Sequence, residues 1–365
     1  MTALVVDLRR AFDSGLGTYI RGVVPGTLVR LGGVAAAGLI APGDEARHRA
    51  YMGRASIDLV PCQAEPLGLA EQIELRRLVP PGALFWATTL AHPLSGRMRI
   101  AATVHDVIQL ARPAKAAGAT VRWASRAYFQ NLRRHAALLM FNSAFTAAEF
   151  QRVVGAPAGP AVVVPLGIDA AGWGKAPPAA KRARPYFLFI GNLREHKNLA
   201  TLLDAFALVR DEIAHELLVI GRTTGFRSGD DATAARLAQS PDRVVLLGEV
   251  PDAELRQTLA GAAALVMPSF YEGFGLPVLE AMAAGCPVLC ARAASLPEVA
   301  GNAATYFDPQ QPETLALALR TAAVWTPAER KTWQARGRER AAAFDIQLTT
   351  QRTASALRPL LFPAR

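Results

Sequence analysis

The 365-residue chain is poor in cysteine. Its three, Cys62, Cys286 and Cys290, are too few for a disulfide framework, and no Cys-x-x-Cys pair or Cys/His cluster has zinc-binding spacing. No run approaches 18 uninterrupted apolar residues, so no membrane-spanning helix is expected. The opening MTALVVDLRR lacks the cationic start and long apolar run of a signal peptide, which leads us to expect a cytoplasmic protein. Repeats and low-complexity tracts are also missing. With 19% charged and 51% hydrophobic residues, the chain has too little charge for disorder and enough apolar material for two packed cores. Its length fits about two domains.

What is present begins with charge. The formal net charge of +10 is uneven: residues 1–180 hold 19 basic and 11 acidic residues (+8), and residues 181–365 hold 21 and 19 (+2). Nucleic acid, an anionic bilayer surface or a polyanionic substrate would each suit the first half. A genome that writes Arg for Lys would produce the same balance.

Short apolar runs alternate with helix-like segments at 3–8, 36–41, 57–60, 83–87, 100–104, 138–142 and 161–165. The alternation predicts a parallel sheet with helical crossovers. GWGKAPPAAKRARP, from Gly172 to Pro185, is aperiodic and reads as a linker. A second alternation follows, with strands at 186–191, 216–221, 244–248, 264–268 and 287–290. Asn198 is placed to cap the helix LATLLDAFALVR, and Thr326-Pro-Ala-Glu329 has the form of a capping box for a helix over 327–343. The expected organisation is an N-terminal domain over 1–172, a linker over 173–185, a second domain over 186–345, and a final helix over 346–365 that crosses back to the first domain.

The densest chemistry lies in PSFYEGFGLPVLEAMAAGCP (268–287). A strand ends at Pro268, a glycine-bearing loop follows, and Pro277 starts a helix. Gly273 and Gly275 let backbone approach a ligand, and amides at the helix start form an anion site. Glu272 and Glu280 bracket it. A phosphate-holding loop flanked by two hydroxyl-binding carboxylates suits a nucleotide sugar. Equally, Glu272 could be a solvated loop acid and Glu280 a partner of the helix dipole.

PSFYEGFGLPVLEAMAAGCPVL with ARAASLPEVAGNAATYFDP (291–309) resembles the signature of retaining glycosyltransferases of family 4, and Glu272 and Glu280 match its glutamate–seven residues–glutamate pattern. YFLFIGNLREHKNLATLLDAF (186–206), VVLLGEVPDAELRQTLAGAAALVMPS (244–269) and ATVHDVIQLARP (102–113) resemble the segments that carry the diphosphate cation, the base pocket and a His-Asp stretch. The resemblance implies the GT-B architecture: two Rossmann-like, doubly wound α/β domains facing a central cleft. It implies that Lys197 neutralises the leaving diphosphate, that Glu272 and the amides of Phe274, Gly275 and Leu276 contact the transferred sugar, and that Glu280 binds the ribose. Val250 would line the base pocket, and His105 would face the donor sugar. Gly15 and Gly17 would let the first loop near the donor phosphates; Ile20 replaces the third glycine of a dinucleotide fingerprint, so NAD is not expected. Asn192 and His196 stand where many members carry a second cation, a role left to Arg194 or Arg222. The chain has no Asp-x-Asp, so transfer without a cofactor or metal is expected, the diphosphate being met by cations and amides.

VRWASRAYFQNLRRHAALL (121–139) can be laid on one helix, with Val121, Tyr128, Leu132 and Leu139 on one side and Arg122, Trp123, Arg126, Phe129, Arg133 and Arg134 on the other. The second face suits an anionic bilayer or a lipid-diphosphate acceptor, or is an ordinary solvated surface. No nucleic-acid-binding module is present.

The resulting expectation is a hexosyltransferase with net retention, using GDP-mannose or else a UDP-sugar. Its acceptor would be a glycan or lipid-linked glycan in surface polysaccharide (lipopolysaccharide) assembly, at the inner face of the inner membrane. Two other classes remain: an inactive nucleotide-binding scaffold and a polyanion-binding protein.

Overall fold

The computed structural model describes residues 3–13, 15–94, 98–112, 119–175, 182–222, 230–239 and 243–363. Of the expected linker, residues 176–181 lie outside the described residues, as does Pro113 at the end of the His-Asp stretch. The chain divides into two compact units.

The first unit holds a seven-stranded sheet: β1 (Leu4–Asp7), β2 (Ala36–Ile40), β3 (Asp58–Pro61), β4 (Leu84–Ala87), β5 (Arg99–Val104), β6 (Ala136–Phe141) and β7 (Ala161–Val163). Its order is β3-β2-β1-β4-β5-β6-β7, and each pairing is parallel. The second unit holds β8 (Tyr186–Ile190), β9 (Glu216–Ile220), β10 (Val244–Gly248), β11 (Ala264–Met267), β12 (Val288–Ala291) and β13 (Thr305–Phe307), ordered β10-β9-β8-β11-β12-β13, again parallel. Central strands such as β1, β4, β11 and β12 are buried at every residue, which is why they read as continuous apolar runs. Both sheets are of the doubly wound, Rossmann-like kind. Their order reverses beside β1 in one and beside β8 in the other, and a crevice outside the strand carboxyl ends at such a reversal is where this architecture binds ligands.

Three details differ from the sequence expectation. The first unit ends at Gly167, not at 172. Ile168 donates its amide to Phe344 O at 2.9 Å and Trp173 is buried with the second unit, so that stretch is tied to the segment just before 346. β13 had no forecast, because three residues at a sheet edge carry too short a pattern. The helix proposed over 121–139 stops at His135, and Ala136 begins β6 directly. Pairing with β5 and β7 in a buried sheet outweighs the helical preference of Ala and Leu.

Residues from Ile346 onward return to the first unit. The helix Ile346–Leu361 packs along the helix Leu16–Leu31, with Thr349 Oγ1 donating to Pro165 O at 2.8 Å and Arg30 Nη2 to Gln347 Oε1 at 2.8 Å. The capping box forms as the spacing required: Glu329 N donates to Thr326 Oγ1 at 3.2 Å and Thr326 N to Glu329 Oε2 at 2.8 Å. Among the described residues no helix is long and apolar enough to cross a membrane.

Candidate active site

In the second unit, the loops that follow β8 and β11 meet at the reversal of strand order. The chain leaves β8 through Gly191–Arg194, makes one 3-10 turn over Glu195–Lys197, and enters the helix Leu199–Val209. The other loop runs from Pro268 to Gly275 and opens the helix Leu276–Ala283. Phe270 N donates to His196 O at 2.8 Å, which joins the two loops through their backbones.

That join places Lys197 against Glu272. Lys197 Nζ lies 2.7 Å from Glu272 Oε1 and 3.0 Å from Oε2, and Ser269 Oγ donates to Oε1 at 2.6 Å. An ionised carboxylate offers about four acceptor positions, so among the described residues one on Oε2 stays open for a hydroxyl. The ammonium likewise keeps a third proton. The main chain at Glu272 is fixed too: Ser295 Oγ sits 2.9 Å from Glu272 O and 2.8 Å from Phe274 O, sharing one proton between them.

Gly275 is the N-cap of the helix Leu276–Ala283, at φ 103°, with no side chain accepting from the first turn. A Cβ there would lie 2.9 Å from Leu296 Cδ2, so both backbone and packing require glycine. Phe274 is buried and meets Phe344 edge-on at 5.8 Å. Leu276 opens the helix, where amides and the helix dipole favour an anion.

Glu280 stands on the same helix, half-buried and closely surrounded by protein. Desolvation, reinforced by Asp252, raises its carboxyl pKa to about 7, against the lowering effect of Arg256. Asp252 and Arg256 belong to the helix Asp252–Gly261, which follows the loop bearing half-buried Val250. Arg256 stacks on Trp173 at 4.4 Å. The structure thus brings together Lys197 with Glu272, and Glu280 with the Val250 loop's helix.

The remaining residues of the β8 loop are engaged with β9. Asn192 Oδ1 accepts from Arg222 N at 3.2 Å, while the Arg222 guanidinium pairs with Glu249 at 3.0 Å. Arg194 is exposed just ahead of the 3-10 turn.

Asn198 corrects the reading of a simple helix cap. It occupies the N-cap position in the left-handed region (φ 56°, ψ 38°), yet its side chain accepts no helix amide. Its buried Nδ2 donates instead to Pro268 O at 3.0 Å and Pro309 O at 2.9 Å, and Oδ1 accepts from Thr201 Oγ1 at 2.7 Å. Asn198 therefore clips Lys197 to the end of β11. Replacing Asn198 with Ala removes the donor to two buried carbonyls and the polar side chain that makes left-handed backbone tolerable for a non-glycine residue, at a cost of about 2–4 kcal/mol. A loss of unfolding free energy of that size, read by chemical denaturation, is expected, and Asn198→Gly should recover only the backbone part.

In the first unit, His105 follows β5. Its Nε2 lies 3.0 Å from Thr88 O, an acceptor only, so Nε2 carries the proton and Nδ1 is the free acceptor. Tyr19 packs edge-on at 4.6 Å. Burial lowers its pKa to about 4, so the ring is neutral at physiological pH and acts by hydrogen bonding rather than charge. It lines a cavity of about 100 Å³ with Leu16, Thr89, Asp106 and Phe129. Gly15, at φ 70°, caps the helix Leu16–Leu31 with open space around it. Gly17 has a packing reason of its own: a Cβ there would collide with the Ala11 carbonyl and Arg21.

The basic helix is Ala119–His135. Arg122, Trp123 and Arg126 are exposed on it as expected. Phe129 is not: it is buried in the core, 6.1 Å from Phe150, and Val121, assigned to the core side, is exposed instead. Arg133 is turned aside, with Nε donating to Gln130 Oε1 at 2.9 Å and its stem against Gly155.

Of the residues that sequence reasoning missed, Ser269 had a signal, its three-residue spacing from Glu272. Ser295 had none, since its contact to the loop spans more than 20 residues of chain.

Two parallel sheets, each reversing its order at a loop-built crevice, describe a class before they describe a family. Over 99% of its length the chain is similar to sucrose-phosphate synthase from Thermosynechococcus elongatus, covering 99% of that chain with a TM-score of 0.77 at 20% identity. At such identity the likeness shows the fold, the GT-B arrangement of two Rossmann-like domains. Sequence supplies the family. The profile of "Glycosyl transferases group 1" matches residues 184–323. O-antigen chain mannosyltransferase B of Escherichia coli is 30% identical over 312 residues, 79% of this chain and 80% of its own length. O-antigen chain mannosyltransferase RfbU of Salmonella typhimurium is 31% identical over 140 residues, 38% of this chain and 39% of its own. The chain belongs to the group 1 glycosyltransferases.

Proposed function

We propose that the protein is a retaining hexosyltransferase that moves mannose from GDP-mannose to a glycan or lipid-linked glycan acceptor in surface polysaccharide assembly, at the cytoplasmic face of the membrane. The contact between Lys197 and Glu272 carries this reading, because a cation able to meet a diphosphate lies beside a carboxylate able to accept from hydroxyls, at the end of the sheet where this kind of fold takes ligands. The names of the two mannosyltransferase relatives support the sugar.

In this reading Glu280 accepts from the ribose hydroxyls and Val250 flanks the base. Asn192 and Arg194 border the diphosphate, as do Gly15 and Gly17 from the first loop. Glu272 Oε2 and the amides of Phe274, Gly275 and Leu276 hold the sugar, with His105 Nδ1 accepting from another of its hydroxyls. The bond from the anomeric carbon to the diphosphate oxygen breaks, and Lys197 meets the charge that develops there without having to reorganise. The acceptor oxygen bonds to the same face of that carbon, and its proton passes to the leaving phosphate. The neutral, weakly basic His105 suits this route better than one in which it removes the proton. We propose transfer without a metal, the charge being met by Lys197 and amides.

Thermal shift with GDP-, UDP-, ADP- and dTDP-sugars tests the donor, since a ligand of the folded state raises its melting point. GDP-mannose is expected to give the largest shift. A shift with a UDP-sugar and none with GDP-mannose would replace mannose in the proposal. Donor hydrolysis separates enzyme from scaffold: nucleotide release that Glu272→Ala abolishes is expected, and binding without release would favour the scaffold.

A further inference from the structure

One exposed surface of the first unit takes no part in the site above. The helix Leu69–Leu78 with its C-cap Val79, and the helix Ala119–His135, send Leu75 and Val79, and Phe129 and Leu132, into a single core cluster on one side of the sheet. Gln72 Nε2 donates to the Tyr128 hydroxyl at 3.1 Å and ties the helices flank to flank. The sides of both helices away from that core therefore turn outward together.

Those sides are apolar and cationic. On the first helix Leu69, Ile73 and Arg76 follow helical spacing opposite Glu71 and Leu75; Leu69 is 89% and Ile73 58% exposed. On the second, Trp123 is 73% exposed, with exposed Arg122 and Arg126 within one turn of it and exposed Arg134 about three turns further along. Acids are few near these helices among the described residues, exposed Glu65 lying ahead of the first. Residues 107–148 contain six basic residues and no Asp or Glu. Glu71 is buried against Arg9, and Glu74 is held by the amides of Gln63 and Ala64.

We propose that this face docks on an anionic lipid bilayer, Leu69, Ile73 and Trp123 entering the interface while Arg76, Arg122, Arg126 and Arg134 meet lipid phosphates. Trp and aliphatic side chains beside arginines match both layers of such an interface, apolar acyl boundary and charged headgroups. A nucleic acid would use the arginines but gain nothing from Leu69 and Ile73. The inference goes beyond the donor chemistry and holds whichever sugar is transferred.

The test is co-sedimentation of the full chain with vesicles of phosphatidylcholine alone, or mixed equally with phosphatidylglycerol. Pelleting with the mixed vesicles only is expected. Arg122→Gln with Arg126→Gln should weaken partitioning about twenty-fold, and Leu69→Ser with Trp123→Ser at least tenfold. All four side chains are exposed, so unchanged thermal melts should accompany these losses. Wild-type protein that stays in solution with mixed vesicles overturns the proposal. So does an apolar pair of substitutions without effect, combined with tight binding to DNA, which would make the face a general polyanion site.

Discussion

Replacing Lys197 with alanine is expected to lower kcat by about 10²- to 10³-fold, roughly 3–4 kcal/mol of transition-state stabilisation. The ammonium is held at 2.7 and 3.0 Å from the Glu272 carboxylate by a loop fixed through Phe270 N and Asn198, so no mobile cation can take its place without losing that register. Its charge matters most when the diphosphate departs, so kcat should fall further than donor affinity. Glu272→Ala should give a loss of similar size, because it removes the proposed sugar contact and leaves the half-buried lysine without this carboxylate. The double substitution should cost less than the two single losses combined, as expected for groups that act as a unit. Steady-state kinetics on the three variants, with circular dichroism to confirm folding, checks this. A kcat within threefold of wild type for folded Lys197→Ala would falsify the assignment.

The second large effect is on pH. The Glu280 carboxyl, raised to about 7 by burial and by Asp252, is mostly protonated at pH 6 and mostly ionised at pH 8. In the proposed role the ribose hydroxyls donate to the ionised form, so donor KM should rise about tenfold from pH 8 to pH 6 while kcat changes little. Glu280→Gln should raise KM at pH 8 and flatten that dependence. The stability side has the opposite sign. A carboxyl whose folded pKa lies above its unfolded value binds more protons when folded, so its contribution declines as pH climbs from about 4.5 to 7. Donor binding, which favours the ionised form, should therefore release a proton near neutrality, measurable by calorimetry in buffers of different ionisation enthalpy.

Much of the fold was legible because the central strands are buried on both faces and so appear as unbroken apolar runs. Edges were harder. β13 is three residues long, and the end of the basic helix at His135 is set by sheet pairing that local pattern does not encode. At the site, glycines, prolines and the two glutamates announced a loop and a helix start, and family resemblance supplied Lys197. Ser295 and the true partners of Asn198 lay beyond sequence, since both depend on segments tens of residues apart that meet only in the folded sheet. Arg133 and Phe129 show the limit of a helical wheel. It ranks faces by composition, whereas Arg133 lies against Gly155 and Phe129 packs on Phe150, neighbours that belong to other elements.

Because the chain leaves the first unit after Gly167 and rejoins it at Ile346, residues 168–345 form, among the described residues, an insert with a single seam. Ile168 and Asp345 form a β-bridge at that seam, so the insert's ends are already side by side. The half that carries Lys197, Glu272 and Glu280 is thus topologically a cassette: evolution, or an engineer, can graft another in its place with two cuts at one point, leaving the host sheet, its closing helix and the arginines of the helix Ala119–His135 untouched.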